Sequence, residues 1–169
     1  MADTREKPRK RRFLGGWKFI VAVVLVLGYS AAAAYGVMSD TSVRGLTVKM
    51  FNVSRYCTAQ SSSPRTLNYN VRGETWSASS IQTSLSHISF TLSVDGSVMG
   101  TATQSDTSFG PGQSVSFNLT FTDPTLNPTM LPLSSKLVLS LSATVAAGLY
   151  GSTEATSDST IETFASNGC

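Results

Sequence analysis

Histidine is nearly absent from this chain: His87 is the only one in 169 residues. A serine–histidine–carboxylate centre has one candidate base, and no Gly-x-Ser-x-Gly elbow accompanies it. Cysteine is scarce too, with two copies, no C-x-x-C pair and no Cys/His cluster of zinc spacing. A blue-copper centre takes two histidines and a cysteine, so inventory alone excludes it. The carboxylates Asp95, Asp106, Asp123, Glu154, Asp158 and Glu162 stand apart, and none falls in an EF-hand loop. Asp95 and Asp123 adjoin turn signals, where Asp caps backbone groups. These absences predict a chain that is not an enzyme, with no catalytic, cofactor-binding or metal-ligating residues and no small-molecule substrate. His87 reads as a polar residue at a strand edge.

Positive charge is scarce outside one end. Residues 1–18 hold seven Lys/Arg against Asp3 and Glu6, a net +5; the remainder holds six against eight acidic residues, a net −2. The chain's +3 therefore reports a short basic tail suited to anionic lipid headgroups, and no nucleic-acid partner is expected. Arg44, Lys49, Arg55, Arg65 and Arg72, farther along, read as scattered solvated charges.

What the sequence does have is a long apolar run. Phe19 to Met38 contains no charged residue, and at about 1.5 Å per residue a helix of that length crosses the ~30 Å hydrocarbon core of a bilayer. Lys7, Arg9, Lys10, Arg11, Arg12 and Lys18 precede it, and basic residues stay on the cytoplasmic side. The resulting expectation has four parts: residues 1–18 a basic cytoplasmic tail, 19–38 a transmembrane helix or uncleaved signal anchor in contact with the lipid bilayer, 39–45 a linker, and 46–169 an extracytoplasmic domain. A cleaved signal peptide is the rival reading, because the small residues Ser30 to Ala34 offer Ala-x-Ala sites.

From Leu46 the apolar period becomes two. Leu46, Val48 and Met50 open a first strand running to about Cys57; Leu67, Tyr69 and Val71 mark a second; Ile88, Phe90, Leu92 and Val94 mark the clearest one. Asp95-Gly96 supplies a hairpin turn into Val98–Thr103, and Phe109-Gly110-Pro111-Gly112 a second turn. Val115, Phe117, Leu119 and Phe121 alternate next. Asp123 to Pro132 is broken by three prolines, Leu137 to Val145 alternates again, and a last strand is expected over about Thr160 to Phe164. About seven alternating strands with no amphipathic helix predict a mainly β, antiparallel β-sandwich behind one transmembrane helix.

In an exported domain, Cys57 and Cys169 are expected to form one disulfide. Asn52-Val53-Ser54 and Asn118-Leu119-Thr120 are glycosylation sequons, so Asn52 and Asn118 are the glycan candidates.

The strand and hairpin Ile88 to Gly96, the small-residue return Gly100-Thr101-Ala102, the Phe109 to Gly112 turn entering SVSFNLTF, and the ending Thr163 to Gly168 together resemble the late embryogenesis abundant type 2 domain, also called the water stress and hypersensitive response (WHy) domain. The resemblance covers something under half of the chain. It implies a fibronectin-like sandwich, often behind a single membrane anchor, and brings no catalytic residues with it. The functional expectation is a membrane-anchored, non-enzymatic structural or partner-binding module with protein partners in the membrane or envelope. The alternative is a subunit of an extracellular filament or pilus whose N-terminal signal is cleaved.

Overall fold

The computed structural model describes residues 14–58, 66–123, 136–148, 152–162 and 165–167. The chain divides into two compact units, Met1–Tyr35 and Gly36–Cys169. One helix, α1 (Leu14–Arg44), begins in the first and ends in the second. The strands are β1 (Leu46–Thr58), β2 (Thr66–Ser77), β3 (Thr83–Val94), β4 (Ser97–Gln104), β5 (Thr107–Phe109), β6 (Ser114–Asp123), β7 (Leu137–Ala147), β8 (Thr153–Ile161) and β9 (Ala165–Asn167).

Within the first unit α1 is apolar on every side. Trp17, Phe19, Leu25, Leu27 and Tyr29 are all more than 60 % exposed, so these rings and aliphatic chains have no protein surface to cover them. A helix that is hydrophobic all round belongs in an apolar surrounding. By length and composition Gly16–Arg44 is long and apolar enough to cross a membrane. Ser30 fits that setting, since its hydroxyl donates to the Val26 carbonyl at 2.8 Å and spends its polarity inside the helix.

Residues 39–45, expected as a linker, instead form the last turns of α1 and the single residue that leads into β1. Ser39, Asp40, Thr41 and Ser42 are poor helix formers, and two features overcome that. Thr41 and Ser42 donate back to the carbonyls of Val37 and Met38, both at 2.7 Å. Burial supplies the rest: Ser39, Ser42 and Val43 are under 9 % exposed. Ser42 Oγ lies 2.6 Å from Ser79 Oγ, and Ser77 Oγ donates to the Ser42 carbonyl. The helix end is thus part of the β unit.

The strands form two sheets, ordered β6-β2-β1-β9 and β4-β3-β7-β8, with β5 pairing the start of β3. Pairing is antiparallel except between β1 and β9. Alternation puts Leu67, Tyr69, Val71, Phe117 and Phe121 of one sheet and Phe90, Leu92, Leu139, Leu141 and Val145 of the other into one shared core. Phe90 and Phe117 meet across it, with ring centroids 4.8 Å apart. Along one side the sheets are tied directly: the Val48 and Met50 amides, free of a strand partner there, donate to Ser157 Oγ at 3.1 Å and Ser159 Oγ at 3.0 Å of β8.

Among the described residues seven strands have eight or more residues, and β5 and β9 have three each. The expected closing strand at Thr160–Phe164 is displaced: β8 occupies Thr153–Ile161 and pairs along β7, while Thr163 and Phe164 lie outside the described residues. Its inward positions are Ala155, Ser157, Ser159 and Ile161, too small and polar to show an apolar alternation. The hairpin forms where expected, with Asp95 at φ 48° and Gly96 at φ 84°. The Asp95 carboxylate accepts the Lys136 amide at 2.8 Å. The proline-broken segment falls outside the described residues after Asp123.

One register break shapes the exposed surface. The pairing of β1 with β2 shifts between Met50 and Asn52, so Phe51 is an extra residue. Leu46, Val48 and Met50 face inward before it, and Val53 and Arg55 after it. Arg55, expected as a solvated charge, is buried for that reason. Gly73 lies opposite, where an added Cβ would stand 2.2 Å from the Lys49 carbonyl oxygen and 2.5 Å from the Phe117 ring. Gly73→Ala is therefore expected to cost about 2–3 kcal/mol, the scale of overpacking with backbone displacement, and to lower the denaturant midpoint of the β unit. An unchanged midpoint would show that the bulge tolerates a side chain.

Candidate functional site

The outer face of the four-stranded sheet displays amide, hydroxyl, charged and aromatic groups together. Register arranges them in rows across β1, β2 and β6. Thr47, Trp76 and Ser114 make one row; Lys49, Glu74 and Ser116 the next; Asn52, Arg72 and Asn118 a third; Ser54, Asn70 and Thr120 a fourth. Asn52 and Asn118, more than sixty residues apart in sequence, stand on either side of Arg72. Two interstrand steps separate their backbones by roughly 10 Å. Both are exposed.

Hydrogen bonds organise the face. Asn70 Nδ2 donates to Asn118 Oδ1 at 2.9 Å and to Thr120 Oγ1 at 3.5 Å. Ser114 Oγ donates to Glu74 Oε2 at 2.8 Å, and Thr122 Oγ1 donates to Asn68 Oδ1 at 2.7 Å. Phe51, outward by alternation with Lys49, is 53 % exposed, and the Lys49 ammonium sits 5.5 Å over its ring. The face can offer amide and hydroxyl hydrogen bonds, one cation–aromatic pair and an uncovered ring.

The other sheet turns a different surface outward. Ser89, Thr91 and Ser93 of β3 lie in register with Ser142, Ser140 and Val138 of β7, and Thr101 and Thr103 of β4 extend two of those rows. That surface is nearly all short hydroxyls.

His87 lies at a second bulge, between Ser86 and Ser89 in the pairing of β3 with β7. Its φ is 51°, its side chain is exposed, and its amide donates to Asp106 Oδ1 at 3.3 Å. Asp106 is the carboxylate this contact brings near it; Asp95 and Asp158 belong to other strand ends and edges. Among the described residues no three His, Cys, Asp or Glu side chains cluster where a metal could be held. His87→Ala is expected to change stability by no more than about 0.5 kcal/mol, as at other exposed positions away from packing, and to leave cellular activity intact. Lost activity in a variant with an unchanged melting curve would assign the imidazole a chemical role.

Cys57 packs half-buried against the core, and no cysteine among the described residues is free. Cys169 lies outside the described residues; Asn167 stands opposite Tyr56.

Of the residues marked from sequence, the fold brings Asn52, Asn118, Lys49 and Arg72 to one face and leaves His87 on the other sheet. Phe51, Asn70, Gly73, Glu74 and Trp76 were not marked. A signal for Phe51 was present: Val53 is one position out of phase with Met50, as a bulge requires.

No protein-family model and no curated protein matches the chain. Solved structures with limited similarity to it include the following two. A protein from Archaeoglobus fulgidus is 12 % identical, with a TM-score of 0.34, covering 68 % of this chain and 97 % of its own. The sporulation control protein Spo0M from Bacillus subtilis is 14 % identical with a TM-score of 0.37, and 69 % of this chain spans about half (49 %) of that one. Scores this low assign the chain to neither.

Proposed function

We propose that this protein is a membrane-anchored, non-enzymatic module whose β domain works outside the cytoplasm by binding partners in the membrane or envelope. On this reading the two sheets form a fibronectin-like sandwich of the late embryogenesis abundant type 2 kind. The hairpin at Asp95-Gly96 and the turn in which the Gln113 amide donates to the Gly110 carbonyl at 3.1 Å support it, since both form at residues that carry the resemblance.

One observation carries the proposal: the helix apolar enough to cross a membrane ends inside the β unit, with Ser42 and Val43 buried there. Here a cut after Ala33 would leave the helix end in place but with its preceding turns removed. The basic tail before the helix supports a cytoplasmic N-terminus.

Purification of the full-length chain in mild detergent tests the binding role. The expected result is recovery with stoichiometric membrane or envelope proteins that are lost when the outer hydroxyl face is altered by Thr91→Glu. A partner-free monomer under every mild condition would remove the binding role.

A further inference from the structure

We propose that the outer face of the four-stranded sheet carries N-linked oligosaccharide on Asn52 and Asn118, and that the exposed ring of Phe51 is the platform on which the sugar at Asn52 packs. The inference rests on the extracytoplasmic placement proposed above and adds to it the chemical identity of what covers this face.

Three observations converge. The fold brings both sequon asparagines to one row of one face, flanking Arg72, and exposes both. The amide of Asn118 is already oriented: its Oδ1 accepts from Asn70 Nδ2 at 2.9 Å, which leaves its own Nδ2 as the group available for linkage. The third is the bulge. It interrupts the ladder, requires a glycine at Gly73 in the middle of β2, and turns Asn52 onto the same outer face as its neighbour Phe51, whose ring is 53 % exposed. Strand-interior glycine weakens a strand, and an exposed ring forgoes the stabilisation that burial would give. A pyranose linked to the neighbouring residue would cover the ring with its C–H face, while the surrounding amides and hydroxyls bond its rim. Val98 is the other large apolar side chain exposed on the strands among the described residues, and no sequon adjoins it.

The chemistry is a group transfer from a polyprenyl-phosphate-linked or polyprenyl-pyrophosphate-linked oligosaccharide, made by the cell's transferase. Asn Nδ2 bonds to the anomeric carbon C1, the C1–O bond to the phosphate breaks, and the lipid phosphate leaves with that electron pair. The amide gives up one proton to base. No oxidant or reductant takes part.

The test is site-resolved mass spectrometry of the full-length chain purified from its own membranes. Peptides containing Asn52 and Asn118 are expected to carry hexose or hexosamine mass. Ser54→Ala and Thr120→Ala, which leave both asparagines in place, should each remove one glycan from the intact mass. Phe51→Ala should lower the melting temperature of the glycosylated protein by more than it lowers that of the Ser54→Ala variant. The Lys49 contact is lost in both backgrounds, so the difference reports the sugar. Unmodified Asn52 and Asn118 peptides overturn the proposal without any variant having to fold. Protease treatment of intact cells then says whether the extracytoplasmic placement falls with it: digestion of the β domain keeps the placement, and protection removes both. Equal effects of Phe51→Ala in the two backgrounds overturn the platform.

Discussion

Phe90→Asp is expected to leave the β unit unfolded. Phe90 is 1 % exposed, pairs with Ala102 on one side and Leu141 on the other, and meets Phe117 across the core. Removing a buried phenyl costs about 3–5 kcal/mol. Placing an unpaired carboxylate there adds several kcal/mol more unless it is protonated. Against a total stability of roughly 5–15 kcal/mol for a domain, the sum removes most or all of the folded population. Thr101→Asp is the control: its side chain is exposed on β4, and a change within about 0.5 kcal/mol is expected there. Circular dichroism melts of the two variants in detergent decide the matter. A cooperative melt of Phe90→Asp near the wild-type temperature would contradict the shared core.

Cys57→Ser is expected to have the next largest effect. The parallel pairing sets Ala165–Asn167 against Ser54–Tyr56, next to Cys57, and Cys57 is not a free thiol. Closing a loop of about 110 residues contributes ~4–5 kcal/mol in the chain-entropy picture. The parallel β1–β9 pairing is only three residues long, so it is the element most dependent on such a closure. Cys57→Ser, or reductant added to the wild type, should lower the denaturant midpoint by equal amounts, and non-reducing peptide mapping should join the two cysteine peptides. Two alkylatable thiols in the native protein would refute the bridge.

Much of this fold was legible where large apolar residues alternate. Ile88 to Val94 and Leu137 to Val145 carry a full-sized side chain at nearly every inward position, and both face the core as expected. Legibility failed where the inward residues are small. In β8, Ser157 and Ser159 face inward to bond the β1 backbone, a role that an apolar pattern does not record. It failed again at Ser39–Arg44, because local propensity disfavours a helix that contacts with Ser77 and Ser79 secure. Bulges at Phe51 and His87 shift the phase in mid-strand, and Gly73, whose missing side chain permits the first, reads in isolation as a weak point of β2. Of the candidate site, the sequons were visible as motifs; that they share a row with Arg72 beside an exposed ring depends on a register that no local pattern contains.

The two outer faces suggest a division of labour that follows from the proposals. Glycan on the four-stranded sheet would exclude protein partners from it. The hydroxyl surface centred on Ser89, Thr91 and Ser140 would then remain for contact, its short side chains losing little conformational entropy on binding.

Protease accessibility in intact cells is the most direct measurement of the central claim. The full-length chain carries one epitope at Met1 and another after Asp123. External protease is predicted to destroy the second and spare the first, with the uncut chain, residues 19–38 included, recovered from membranes of untreated cells. Protection of the second epitope, or a mature chain beginning after Ala33, would contradict an anchored domain displayed outside the cytoplasm.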